Sequence, residues 1–166
     1  MLLDKLCPEP KAKKFCYYHE VLGLVERNEV DAGIILHETR FTFEGKGFKE
    51  ICDLGDLWEK AFSLPLPLGC IVAKRSLKEG IIDRLTEDLY LSLERAYKDP
   101  GAAKGFIIKQ SQEKDLDVVQ KHIDLYVNDD SLEISDLGLK AFEKLFALQG
   151  FTAPKGWYYE RHSCFI

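Results

Sequence analysis

The run Val30-Asp31-Ala32-Gly33-Ile34-Ile35-Leu36 constrains this chain more than any other stretch. A short Ile/Leu-rich run behind a glycine and a small residue reads as a β-strand buried on both faces, as in a parallel sheet. It ends at His37 and gives way to the polar, aromatic Glu38-Thr39-Arg40-Phe41-Thr42-Phe43. Open α/β sheets bind their ligands outside the carboxyl ends of their strands. An imidazole is also the side chain best poised for proton transfer near neutrality. On these residues alone His37 reads two ways, as a strand-end histidine with a satisfied hydrogen bond or as a base.

The flanking sequence alternates strand and helix as far as residue 76. Leu2, Leu3 and Leu6 fall at helical spacing, and Pro8 and Pro10 stop the helix. Residues 14–18 read as a second strand. Residues 19–28 read as a helix with Val21, Leu22, Leu24 and Val25 on its apolar face. Asp56 is the expected cap of a helix over 57–62. The stretch Leu64-Pro65-Leu66-Pro67-Leu68-Gly69 must then be extended, because alternate prolines forbid helix. Residues 70–73 complete the set of three strands. Beyond Ser76 the periodicity is helical over 77–97, 102–110, 116–126 and 137–148, with Asp115 and Ser135 as N-caps of the last two. The expected class is α/β with a mostly helical C-terminal half. Three strands are few for a free-standing sheet, and the abrupt first helix suggests missing N-terminal sequence.

Charge and cysteine content exclude several functions. A net charge of −5, with Lys11, Lys13 and Lys14 as the densest basic cluster, argues against nucleic acid as a partner. The cysteines are Cys7, Cys16, Cys52, Cys70 and Cys164; none forms a C-x-x-C pair, so no zinc site or redox pair is indicated. Unpaired cysteines and a charged N-terminus without a signal peptide point to a reducing, cytoplasmic setting. No apolar run reaches the length of a membrane span.

The run 30–38 with the following Arg40-Phe41-Thr42, the Pro-Leu-Pro-Leu-Gly stretch with Ala73-Lys74-Arg75 behind it, and His122-Ile123-Asp124-Leu125-Tyr126-Val127-Asn128 together resemble the 1,4-dihydroxy-6-naphthoate synthase family of the futalosine route to menaquinone. The resemblance covers nearly the whole chain. It implies a periplasmic-binding-protein-like fold of two α/β lobes, incomplete here. Residues 1–76 would be most of the small lobe, and 77–166 the C-terminal helices of the large one. It implies a lyase that makes dihydroxynaphthoate from cyclic dehypoxanthinyl futalosine without metal or redox cofactor, with His37 as the general base. Leu36, Arg40 and Gly69 are the expected substrate contacts: Arg40 to receive a carboxylate, unless it is a surface arginine, and Gly69 to allow close backbone approach. Glu38 is expected to pair with Arg40 or order the loop. His122 and Asn128, six residues apart, are read as structural, and Trp157-Tyr158-Tyr159 as packing aromatics. His19 and His162 carry no motif. The alternatives are a non-catalytic small-molecule-binding module and an inactive fragment of the same fold. Helices without their sheet would expose apolar faces and favour self-association.

Overall fold

The segments that read as strands form no ladder among the described residues. In the computed structural model, which describes residues 2–37, 39–111, 113 and 115–158, there is no strand among the described residues. Glu38, Tyr159, His162 and Cys164 lie outside them. The expected α/β, periplasmic-binding-protein-like two-lobe architecture is therefore corrected to a helical one. The reason is physical: a strand satisfies its amides only through a neighbouring strand. Residues 31–36 and 70–73 make no backbone–backbone hydrogen bond among the described residues. Their side chains are not buried on two faces either. Ile71 and Val72 are 73% and 83% exposed, and Phe15 in the 14–18 segment is 92% exposed.

Helices satisfy their own amides, and the longer ones form where the periodicity places them, with two short ones, Thr39–Thr42 and Asp129–Leu132, besides. The chain runs through α1 (Leu2–Leu6), a 3-10 turn (Tyr18–Glu20), α2 (Val21–Glu26), α3 (Thr39–Thr42), α4 (Leu54–Phe62), α5 (Glu79–Lys98), α6 (Lys104–Gln110), α7 (Leu116–Tyr126), α8 (Asp129–Leu132) and α9 (Asp136–Leu148). Asp115 Oδ1 caps α7 by accepting from the Asp117 and Val118 amides at 2.9 and 3.3 Å. Ser135 Oγ caps α9 by accepting from the Gly138 amide at 3.0 Å. The cap of α4 is Asp53, three residues before the expected Asp56; its Oδ1 accepts from the Gly55 amide at 2.6 Å. Helix α5, at 20 residues, is the longest, and no helix among the described residues is long and apolar enough to cross a membrane.

Packing is local. Helix α1 lies on α4, α3 on α7, and α5 on α8. Trp58 of α4 is fully buried. Its Nε1 donates to the Pro65 carbonyl at 3.0 Å, folding the proline-rich stretch back over the helix, and its ring meets Phe62 edge-on at 4.7 Å. Lys144 of α9 then places Nζ 4.6 Å from the centre of the Phe62 ring, tying the last helix to the fourth. Trp157 packs against Phe142 and Phe146 of α9 at 5.7 and 5.4 Å, so it is a packing aromatic as expected.

Much apolar surface remains uncovered. The chain exposes 13146 Å², whereas a compact 19.0 kDa monomer exposes roughly 8,400 Å². Ile81 and Leu85 of α5 are exposed, and no residue of that helix is buried.

The 31–36 segment is held by contact with α2 at one glycine. A Cβ on Gly33 would stand 2.3 Å from Val21 Cγ1 and 3.4 Å from Val25 Cγ2. Both obstructing atoms belong to β-branched side chains with little freedom to turn. Gly33→Ala is therefore expected to push the segment off α2 and destabilise the chain by about 1–3 kcal/mol. A melting temperature equal to that of the unmodified chain would show that the segment does not depend on this approach.

Candidate functional site

His37 sits at a turn that few side chains tolerate. Its φ of 55° lies in the left-handed region, a conformation uncommon outside glycine that costs about 1 kcal/mol or more and clusters at functional sites. The turn ends the extended segment and starts α3, with the Arg40 amide donating to the His37 carbonyl at 3.3 Å. His37 is exposed.

The turn aims that ring at two others. Tyr18 meets it edge-on with centroids 5.2 Å apart, and His122 lies 6.1 Å away at an interplanar angle of 39°. The Tyr126 ring is 4.5 Å from His122. On the other side Tyr18 contacts His19 at 5.5 Å, and Tyr17 stacks on His19 at 5.7 Å. Three imidazoles and three phenols thus form one continuous aromatic patch, drawn from the 3-10 turn, the α3 turn and α7. His122 Nε2 is buried and has no hydrogen-bond partner among the described residues.

His122 was not expected in this company. Its separation from Asn128 suggested two unrelated positions, but His122 and Tyr126 are four apart and share one face of α7. That i, i+4 pair of ring side chains is the signal in the sequence that points to it.

The other expected contacts are placed differently. Leu36, 43% exposed, precedes His37 and is available at the surface. Arg40 is engaged: its Nη2 donates to Asp53 Oδ2 at 2.7 Å, with both side chains about one-third exposed. Asp53 thus joins α3 to the start of α4 while it caps α4. At Gly69 a Cβ would meet no protein atom within 4 Å, so its backbone lies open.

Two grooves flank the patch, and His37 lines neither. One, about 770 Å³, runs past Lys14, Tyr17, His19, Glu20, Gly23 and Arg27. Lys14 and Arg27 both reach Glu29, at 2.7 and 2.8 Å, and these bonds, that to Lys14 first, hold its carboxyl down at about 2. The other, about 340 Å³, lies between α6 and α7 with His122 in its wall. Among the described residues no group of three or more His, Cys, Asp or Glu is placed to hold a metal ion.

With this geometry in view, the relatives fall into one class. Residues 1–150 match a family model described as menaquinone biosynthesis, and the chain belongs to that family. It is 37% identical over 142 residues to a 1,4-dihydroxy-6-naphthoate synthase of Streptomyces coelicolor, covering 84% of this chain and 50% of that protein. It is 39% identical over 140 residues to the enzyme of the same name from Thermus thermophilus, covering 82% and 52%. A crystal structure of an Archaeoglobus fulgidus protein superposes with a TM-score of 0.71 at 27% identity, over 80% of this chain and 52% of that one. The chain spans about half the length of the curated relatives it matches.

The Arg40–Asp53 contact makes a testable claim about what anchors α3 beside His37. Asp53→Ala removes both a helix cap and an ion pair and is expected to lower stability by about 2 kcal/mol. Asp53→Asn keeps a capping oxygen and is expected to lose less than half of that. Equal unfolding midpoints in urea for the two variants would mean that the Arg40 contact, not the cap, carries the effect.

Proposed function

We propose that this chain carries the base-bearing part of a 1,4-dihydroxy-6-naphthoate synthase, with His37 taking a proton from cyclic dehypoxanthinyl futalosine. One observation carries the reading. The histidine that the family resemblance singles out is an exposed residue held on a left-handed turn, with the Tyr18 and His122 rings beside it. A neutral imidazole in that position can accept a proton next to a carbonyl and so open the way to carbon–carbon cleavage. Relatives bearing the synthase name at 37 and 39% identity support the substrate class. Leu36 borders the imidazole, and the guanidinium of Arg40 has donors beyond the one given to Asp53 with which to meet a carboxylate.

Given the cyclic futalosine substrate, the purified chain is expected to release dihydroxynaphthoate. His37→Gln is expected to lower the rate roughly 10²–10⁴-fold with unchanged helical circular dichroism. Near-normal turnover by that variant removes His37 from the chemistry.

The half-length match favours a second reading, that of a part inactive by itself. A chimera in which this chain replaces the matching segment of the Thermus thermophilus relative separates the two. Product from the chimera but not from the chain alone selects the second reading.

The uncovered faces support self-association as well. Ile81 and Leu85 on α5 and Phe106 on α6 are exposed together with the unpaired extended segments. Surfaces of that kind mark interaction sites. The mass seen by light scattering is expected to rise with concentration, and Ile81→Glu with Leu85→Glu to reduce the rise. A constant monomer mass would refute it.

A further inference from the structure

We infer that His122 is a second ligand-contacting imidazole, and that the α6–α7 groove beside it receives the apolar face of a planar ring compound. The inference rests on the proposed function for the class of ligand, and on three observations for the place.

The first is the orphaned nitrogen. His122 Nε2 is buried without a hydrogen-bond partner, an arrangement that costs about 1–3 kcal/mol and asks for a reason. A structural histidine would use that atom to fasten α7 to a neighbour. This one fastens nothing through it among the described residues.

The second is the groove. It holds about 340 Å³, and its wall combines Phe106, Ile107, Val119 and Ile123 with Gln110 and His122. Small-molecule sites are apolar clefts of about 300–1,000 Å³ with a few convergent polar groups. Phe106 is 69% exposed over this groove, and an aromatic side chain there presents a flat face to a flat ligand. Gln110 adds an amide that can donate and accept.

The third is the link to His37. The two imidazole centroids are 6.1 Å apart. A bicyclic ring in the groove that meets His122 therefore lies near His37, which stands outside the groove wall. His122 would then position the ligand by its edge while His37 meets the reacting atom, which makes His122 a binding and positioning residue.

The test uses the full chain with its histidine rings isotopically labelled, and 1,4-dihydroxy-6-naphthoate as the probe. Nuclear magnetic resonance follows the ring signals of His37 and His122 during titration. Both are expected to shift along one saturation curve. His122→Phe preserves the ring volume but removes the polar atom, and is expected to weaken the probe's dissociation constant about tenfold or more, the loss of one hydrogen bond to a buried group. His122→Gln restores a polar atom and is expected to recover part of that loss. If only the His37 signal moves and His122→Phe binds the probe as well as the unmodified chain, the role given to His122 is overturned and that of His37 stands. If neither ring responds at saturating probe, both fall. Should His122→Phe fail to fold, the ring shifts in the unmodified chain decide.

Discussion

A helix closes its hydrogen bonds within one segment, whereas a strand borrows them from another. That asymmetry governs which parts of this chain acquire regular structure. Leu116–Tyr126 and Asp136–Leu148 need only a capping side chain at the first turn, and Asp115 and Ser135 supply it. The 31–36 and 70–73 segments have the composition of buried strands but make no backbone–backbone hydrogen bond among the described residues, so they acquire no regular structure. Apolar side chains that a sheet would sandwich then lie open. Ile71 and Val72 are the plainest case, and the large exposed area of the whole chain follows from the same cause.

What holds the helices together is correspondingly a set of point contacts. Trp58 buries its whole ring and spends its one donor on Pro65, which turns the proline-rich stretch into a cover for α4. Asp53 serves two elements with two oxygens, one on the first amides of α4 and one on Arg40 of α3. Gly33 lets an extended segment touch α2 where any side chain would collide. Each contact joins neighbours in sequence. The α1–α4 and α3–α7 contacts and the meeting of Lys144 with Phe62 are among those that bring distant parts of the chain together.

This explains how much was legible beforehand. Helix positions and caps in the second half follow from local rules, and α7 and its cap fall where the periodicity puts them. The cap of α4 was misplaced because Asp53 and Asp56 are both good caps one turn apart, and the choice is made by Arg40, a tertiary partner. The short α3 and α8 carry too few residues for a period to show. The sheet failed for a different reason: composition records how strongly a segment wants burial on both faces, not whether a neighbour is there to provide it. His37 was legible because it stands at a sharp change of composition. His122 was not, because its significance lies in a ring 85 residues away in sequence.

The two imidazoles differ in a way that suits different tasks. His37 is exposed on a strained turn, so its ring can exchange protons with whatever reaches the surface. His122 rides on a capped helix, its Nε2 shut away from solvent and flanked by Tyr126. A group that must change protonation during a reaction is better placed on the first, and a group that must keep a ligand's edge in register is better placed on the second, where a regular helix fixes it. The turn before α3 is the element that sets their separation. Arg40, fixed to Asp53, holds that turn against α4, while α3 itself lies on α7. The distance between the rings is thus controlled from outside the aromatic patch, by an ion pair that touches neither histidine.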